Sequence, residues 1–222
     1  MDKRVAIKEW SLSMRANHWL MALSIFILIP TGFYIYSPIT VLTGETGSKF
    51  LMGSMRYVHI LFGTILTFVF IWRIYMMFFS RFHADFKDFF AWTDFKNFWT
   101  QIKFYALISE EKPQHTHLYG PLQSLAYGGL IVMWLLIVIT GLVLMGANHD
   151  AGLIGAVNGP LLWIGNLLGG LGIVRYIHHI LTWLFIIFIV VHLYMAFWYD
   201  VVFKEGTVSS MISGRVFRKI EE

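Results

Sequence analysis

Four of the nine histidines, His18, His59, His178 and His192, stand near the ends of long apolar stretches. Imidazole inside a bilayer is costly unless a partner satisfies its nitrogens, and the chemistry it suits is metal ligation or proton transfer. Spacing separates these residues from the other histidines. His178 and His192 lie 14 residues apart. On an α-helix that spacing is a net rotation of about −40° and a rise of about 21 Å, so both project from nearly one face. One helix can therefore offer one ligand to each of two centres at different depths. His179 fails the same test: at 13 residues from His192 the rotation is about 220°, which puts it on the opposite face.

These ligands must be held by membrane helices. Of the 222 residues, 57% are hydrophobic, 18% aromatic and only 14% charged, a balance too apolar for an ordinary soluble domain and rich in the residues of interfacial belts. The first apolar stretch, Trp19 to Tyr36, lacks a small-residue cleavage pattern and carries a histidine at its mouth. It reads as a retained span and not a signal peptide. Cysteine is absent, which excludes disulfides, iron–sulfur clusters, thiolate metal sites and covalent c-type haem attachment. Any haem must be held non-covalently, and its electrons must come from another subunit.

The expected architecture is an all-α membrane protein, one integral domain over residues 1–222, with spans at about 18–36, 56–79, 122–146 and 175–199. Lys and Arg set its orientation. The N-terminus (Lys3, Arg4, Lys8, Arg15), the second connection with its flank (Arg73, Arg81, Lys87, Lys96, Lys103, Lys112) and the tail (Lys204, Arg215, Arg218, Lys219) hold all the basic residues except Lys49, Arg56 and Arg175. By the positive-inside rule both termini face the cytoplasm, in a bacterial inner membrane. Topology thus explains the net charge of +4 without nucleic acid.

Two connections invite closer reading. Ala151 to Val174 is uncharged and apolar, but seven glycines, Pro160 and two asparagines make it a poor helix. A fifth crossing would also throw the basic tail outside, so broken helix and loop on the outer face is expected, where a partner subunit could dock. In residues 94–108, Phe95, Phe98, Trp99, Ile102 and Tyr105 recur at helical spacing against Lys96, Asn97, Gln101 and Lys103. That pattern predicts an interfacial amphipathic helix in contact with lipid; a cytoplasmic helix packed on protein is the alternative.

An internal repeat supports four spans. Arg56-Tyr57-Val58-His59 opens the second span and Arg175-Tyr176-Ile177-His178 the fourth, and 17 residues after each arginine come Arg73 and His192. The first and third spans share Thr31-Gly32 and Thr140-Gly141, so the unit resembles a duplicated helical pair, with chance matching in so biased a composition as the alternative. Depth then pairs the ligands. His59 matches His178 on the outer side, and His18 matches His192 toward the cytoplasm. Two imidazoles saturate the axial positions of each haem iron, leaving an electron relay with no open site for oxygen chemistry.

Arg15, Arg56 and Arg175 each stand three residues before a candidate ligand, one turn nearer the surface, where haem propionates need cationic donors. Snorkelling to headgroups accounts for Arg15 and Arg56 equally well. Arg73, 14 residues after His59, repeats the same-face geometry and is the better propionate candidate. Gly32 lies 14 residues after His18. It could admit the outer macrocycle to the backbone, or simply let helices pack closely.

These residues resemble a known family, the b-type cytochrome subunits of respiratory membrane-bound nickel–iron hydrogenases, related to formate dehydrogenase cytochromes b. The marks run over nearly the whole chain: Arg15-Ala16-Asn17-His18-Trp19 leading to Thr31-Gly32, and Arg175-Tyr176-Ile177-His178-His179 followed by Trp183, Phe188 and His192. Leu12 and Ser13 stand where the family usually has a proline. The resemblance implies two haems b on the four histidines and electrons entering from a periplasmic hydrogenase small subunit bound to its large subunit. It also implies reduction of a quinone, menaquinone or ubiquinone, near the cytoplasmic haem. Quinone candidates by the same resemblance are His115, His117, Gln123, Tyr194 and Met195. A formate dehydrogenase or another periplasmic oxidoreductase as donor is the first alternative. A haem-free transporter or assembly factor, in which the histidines conduct protons, is the second.

Overall fold

The computed structural model describes residues 4–38, 50–79, 93–109, 120–147 and 152–219. Among these, four helices are long and apolar enough to cross a membrane: α1 (Leu12–Tyr36), α2 (Leu51–Phe79), α4 (Pro121–Gly146) and α7 (Leu171–Phe203), with α3 (Phe95–Tyr105) between α2 and α4. Each long helix contains one expected span and runs past it by up to six residues at an end. Their burial pattern is the reverse of a soluble protein's. Phe26, Phe68, Val132 and Val190 are exposed, whereas Asn17, Ser24, Thr31, Ser124 and Thr140 are buried. Small polar residues between helices and large apolar ones outside are what lipid surroundings favour.

The glycine-rich stretch does not form a fifth span. It folds as α5 (Gly152–Ala156) and α6 (Asn158–Leu167), both too short to cross. Gly169 and Gly170 have φ of 99° and 92°, a backbone that side chains with a Cβ adopt at a cost. These two glycines turn the chain into α7.

In α3 the polar side turns inward. Asn97 and Gln101 are buried at 8% and 2% exposure, while Phe95 and Trp99 are 66% and 58% exposed. The Asp94 carboxylate caps the helix by accepting from the Asn97 amide. Gln101 is spent on a neighbour: its Oε1 accepts from the Leu122 amide at 2.6 Å, satisfying a donor in the first turn of α4. Phe95 and Trp99 on the apolar side are left exposed. Tyr105, expected with that side, is instead buried and receives the Tyr194 hydroxyl on its carbonyl at 2.9 Å.

The chain ends were not expected to pair. β1 (Arg4–Lys8) and, after the short α8 (Thr207–Ser213), β2 (Arg215–Lys219) form a two-stranded antiparallel ribbon with Arg4 opposite Lys219 and Lys8 opposite Arg215. Arg15 donates to the Ile212 carbonyl and Trp10 Nε1 to Ser210 Oγ at 3.0 Å, anchoring α8 beside the start of α1. Termini joined this way lie on the same side of a membrane, as an even number of crossings requires.

Contacts divide the chain into two compact units. The first comprises Met1–Asn17, Arg73–Met133 and Leu184–Glu222; the second comprises His18–Trp72 and Trp134–Trp183. In the first, Met76, Phe104, Tyr105 and Phe185 are buried. The core of the second includes Leu66, Val143, Val174 and Leu181, with Phe70 stacked on Trp134 at 5.9 Å. Gly165 of α6 lies so close to α4 that a Cβ there would come within 2.9 Å of Val143.

Candidate functional site

Within the second unit, the duplicated motifs meet. Each Arg-Tyr-x-His sequence lies near the start of its helix, so His59 of α2 and His178 of α7 both sit about two turns from the N-terminal end. Their ring centroids are 6.4 Å apart with planes inclined at 69°. Metal–imidazole bonds of about 2 Å, with a ring radius of roughly 1 Å added on each side, separate two axial imidazole centroids by about 6 Å. The pair fits one iron between two ligands.

Each ring is held by the other half of the repeat. Thr31 Oγ1 lies 3.0 Å from His59 Nδ1, and Thr140 Oγ1 lies 2.8 Å from His178 Nδ1. The glycine after each threonine stands against the same ring, tightly at Gly32 and in ordinary contact at Gly141. A Cβ on Gly32 would come within 3.1 Å of His59 Cε1, and one on Gly141 within 3.4 Å of His178 Cε1. Gly32, expected beside a macrocycle or a packing helix, therefore faces the His59 imidazole. With Nδ1 of both rings engaged, Nε2 is the nitrogen left for a metal.

His179 is occupied elsewhere. Its ring stacks on Tyr36 at 4.2 Å, meets Phe33 edge-on at 5.4 Å, and accepts at Nε2 from the Trp183 indole at 3.2 Å. Adjacent histidines thus serve different faces of α7, as the rotation of about 100° per residue requires. His192 lies on the same unbroken helix as His178 and stacks on Phe188 at 5.7 Å. His18, in α1, meets Trp19 edge-on at 5.3 Å.

The four arginines separate into two groups. Arg56 and Arg175 are exposed, where headgroups can receive them. Arg15 and Arg73 are half-buried. Arg73 Nη1 and Arg15 Nε are buried with no hydrogen-bond partner among the described residues. A buried guanidinium left with an unused donor is expensive unless an anion completes it, and a haem propionate would do so.

The quinone candidates are not gathered by the described residues. His115 and His117 lie outside them, as do His83 and His149. Gln123 caps the start of α4, its Oε1 accepting from the Gly120 amide at 3.1 Å. Tyr194 donates to the Tyr105 carbonyl and stacks on Trp198 at 6.5 Å. Burial, with Tyr194 beside it, pushes the Tyr105 phenol up to about 12, so that ring stays neutral at physiological pH. Met195 is half-buried in α7. The residues that sequence reasoning missed are Thr31, Thr140 and Gly141 as ring supports. Their signal was the shared Thr-Gly pair, which spacing alone ties to duplication and not to the histidines.

Comparison with known proteins supplies the family. The family model for prokaryotic cytochrome b561 matches residues 9–214. A probable Ni/Fe-hydrogenase B-type cytochrome subunit of Azotobacter vinelandii is 30% identical over 227 residues, covering 97% of this chain and 91% of the relative. The protein of that description from Rhodobacter capsulatus is 30% identical, covering 97% and 84%. The probable Ni/Fe-hydrogenase 1 B-type cytochrome subunit of Escherichia coli K12 is 26% identical, covering 96% and 92%. The resemblance carried by the Arg-x-x-His and Thr-Gly motifs is thus the one that the relatives return. With four apolar helices and a histidine pair spaced for an axially bound iron, the chain is a multi-pass b-type membrane cytochrome and belongs to the prokaryotic cytochrome b561 family.

Proposed function

We propose that this chain is the di-haem membrane subunit of a nickel–iron hydrogenase, carrying electrons from a periplasmic donor to quinone. The observation that carries the reading is the His59–His178 pair, with ring centroids 6.4 Å apart, on a helix that also bears His192 14 residues further on. Haem b supplies a one-electron iron couple when bound. His59 and His178 would hold the outer group and His18 with His192 the cytoplasmic one. Two histidines held to each iron would leave the haem to electron transfer, with no place for oxygen to bind. Arg73 and Arg15, with buried unused donors, would bind propionates; Arg56 and Arg175 would face headgroups or the outer propionates.

Sidedness follows from charge. The ribbon joins termini rich in Lys and Arg, which favours a cytoplasmic location for both. The donor's small and large subunits would then dock outside, near α5 and α6. Electrons would enter on the His178 side and leave on the His192 side, where a menaquinone or ubiquinone takes them with cytoplasmic protons. His115, His117, Gln123, Tyr194 and Met195 remain the candidates to hold that quinone. The exposed Phe95 and Trp99 of α3 suit immersion in the cytoplasmic lipid interface.

Co-reconstitution tests this reading. Proteoliposomes holding hydrogenase and this cytochrome, given hydrogen and quinone, should build an uncoupler-sensitive potential, negative on the side that corresponds to the cytoplasm. Opposing 100 mV costs each electron about 2.3 kcal/mol, so the flux should slow as the potential grows. Sustained quinone reduction with no potential would put electron and proton uptake on one side and refute the vectorial path.

A further inference from the structure

The Thr-Gly repeat has a role beyond duplication. We infer that Thr31 and Thr140 are positioning residues that fix the tautomer and plane of the two outer axial imidazoles and thereby lower the reduction potential of the haem they bind. The inference rests on His59 and His178 being its ligands.

Proton counting carries the argument. A threonine hydroxyl has one hydrogen and two lone pairs. Thr31 Oγ1 lies 2.8 Å from the Ile27 carbonyl and 3.1 Å from that of Leu28; Thr140 Oγ1 lies 2.7 Å from the Leu136 carbonyl and 3.1 Å from that of Ile137. Carbonyl oxygens only accept, so the single hydroxyl hydrogen goes to the helix backbone in both copies. Toward the imidazole the oxygen can then only accept. Nδ1 of His59 and of His178 must carry the proton, and Nε2 keeps the lone pair that binds iron.

Bonding of a threonine to its own helix is common in membrane helices and would by itself mean nothing. Here the same oxygen also reaches a histidine on another helix, at 3.0 Å and 2.8 Å, in both copies of the repeat. Both hydroxyls are buried, with Thr31 at 7% and Thr140 at 1% exposure, so water does not compete for the bonds. The glycine beside each threonine lets its ring approach.

Two consequences follow. An imidazole that donates from Nδ1 is a stronger electron donor at Nε2, which favours ferric iron and lowers the potential. The bonds also lock the rings at an interplanar angle of 69°. Steeply crossed axial planes give low-spin ferric haem a strongly anisotropic paramagnetic resonance signal.

The test uses the full-length chain with Thr31→Val, Thr140→Val, the double variant and the two Thr→Ser variants, read by haem content, redox titration and ferric resonance spectra. Each valine should raise the midpoint potential of the outer haem and shift its resonance, leaving the other haem unmoved. The double variant should do more, and serine should restore both signals. If valine costs the outer haem altogether, retention in the serine variants supports the hydroxyl role. Loss in serine as well would overturn it in favour of methyl packing, as would a double valine variant with unchanged potential and resonance. His59→Ala distinguishes failure of the ligand pair itself: two haems retained there would remove the pair, and this inference with it.

Discussion

At one end of the duplicated helix pair, both copies of the repeat contribute the same parts. Thr31-Gly32 supports His59 and Thr140-Gly141 supports His178, and the two rings face each other across 6.4 Å. Seventeen residues after each repeat arginine the copies diverge: α7 has His192 where α2 has Arg73. There the duplication supplies one candidate ligand and one buried cation whose Nη1 lacks a partner among the described residues. Under the proposed pairing the second ligand comes from outside the repeat register, from His18 near the start of α1. The repeated sequence thus builds a symmetric histidine pair at one end and, in the proposed pairing, an asymmetric one at the other. Charge distinguishes the two: Arg56 and Arg175, which precede His59 and His178, are exposed, whereas Arg73 is half-buried.

The sharpest way to break this comparison is to remove ligands. His178→Ala should eliminate the outer haem, whereas His179→Ala, whose ring is held by Tyr36 and Trp183, should leave both haems in place. Haem content per polypeptide decides it, and equal loss in the two variants would mean that the helical phase of α7 is misassigned.

At the asymmetric end, His18→Ala and His192→Ala should each abolish the cytoplasmic haem and with it quinone reduction, while the outer haem stays reducible by the donor. Spectra taken after adding hydrogen to the complex would show it. Loss of the outer haem in His18→Ala would end the pairing by depth.

Arg73→Gln tests the charge difference more gently. Removing a buried cation disfavours the electron-rich form, so the cytoplasmic haem should become harder to reduce, by roughly 60 mV, a factor of ten for a one-electron couple. The outer haem should not move in the same titration. Movement of both equally would separate Arg73 from either site.

Much of this was legible because helix periodicity is rigid. Four apolar stretches, the 14-residue spacing and the exclusion of His179 needed only rise and twist. The weak helix propensity of Ala151–Val174 likewise predicted its break into α5 and α6. The misses concern contacts between distant segments. Nothing local in Arg4–Lys8 or Arg215–Lys219 announces a ribbon that joins the two ends of the chain. The amphipathic pattern of α3 was visible, but the polar stripe proved to be the protein-facing one because Gln101 caps α4. Tyr105 changed sides for a related reason, its backbone being claimed by Tyr194. The threonines were seen as a repeat and not as ring supports, since spacing along a chain does not say which helices are neighbours.

The smallest expected effect is structural. Gln101→Ala removes the acceptor for the Leu122 amide, which should cost about 1–2 kcal/mol and roughly 2–8 °C of thermal stability with both haems retained. A melting curve followed at the haem absorption band would register it; haem loss in this variant would tie α3 to a cofactor.

The central claim, two haems held by four histidines, is tested most directly on the unaltered protein. Pyridine haemochrome assay against quantified polypeptide, with a redox titration of the same sample, should give two haems b per chain and two resolvable one-electron steps. One haem per chain in fully loaded material, or a single step accounting for all the absorbance of one haem, would contradict the account.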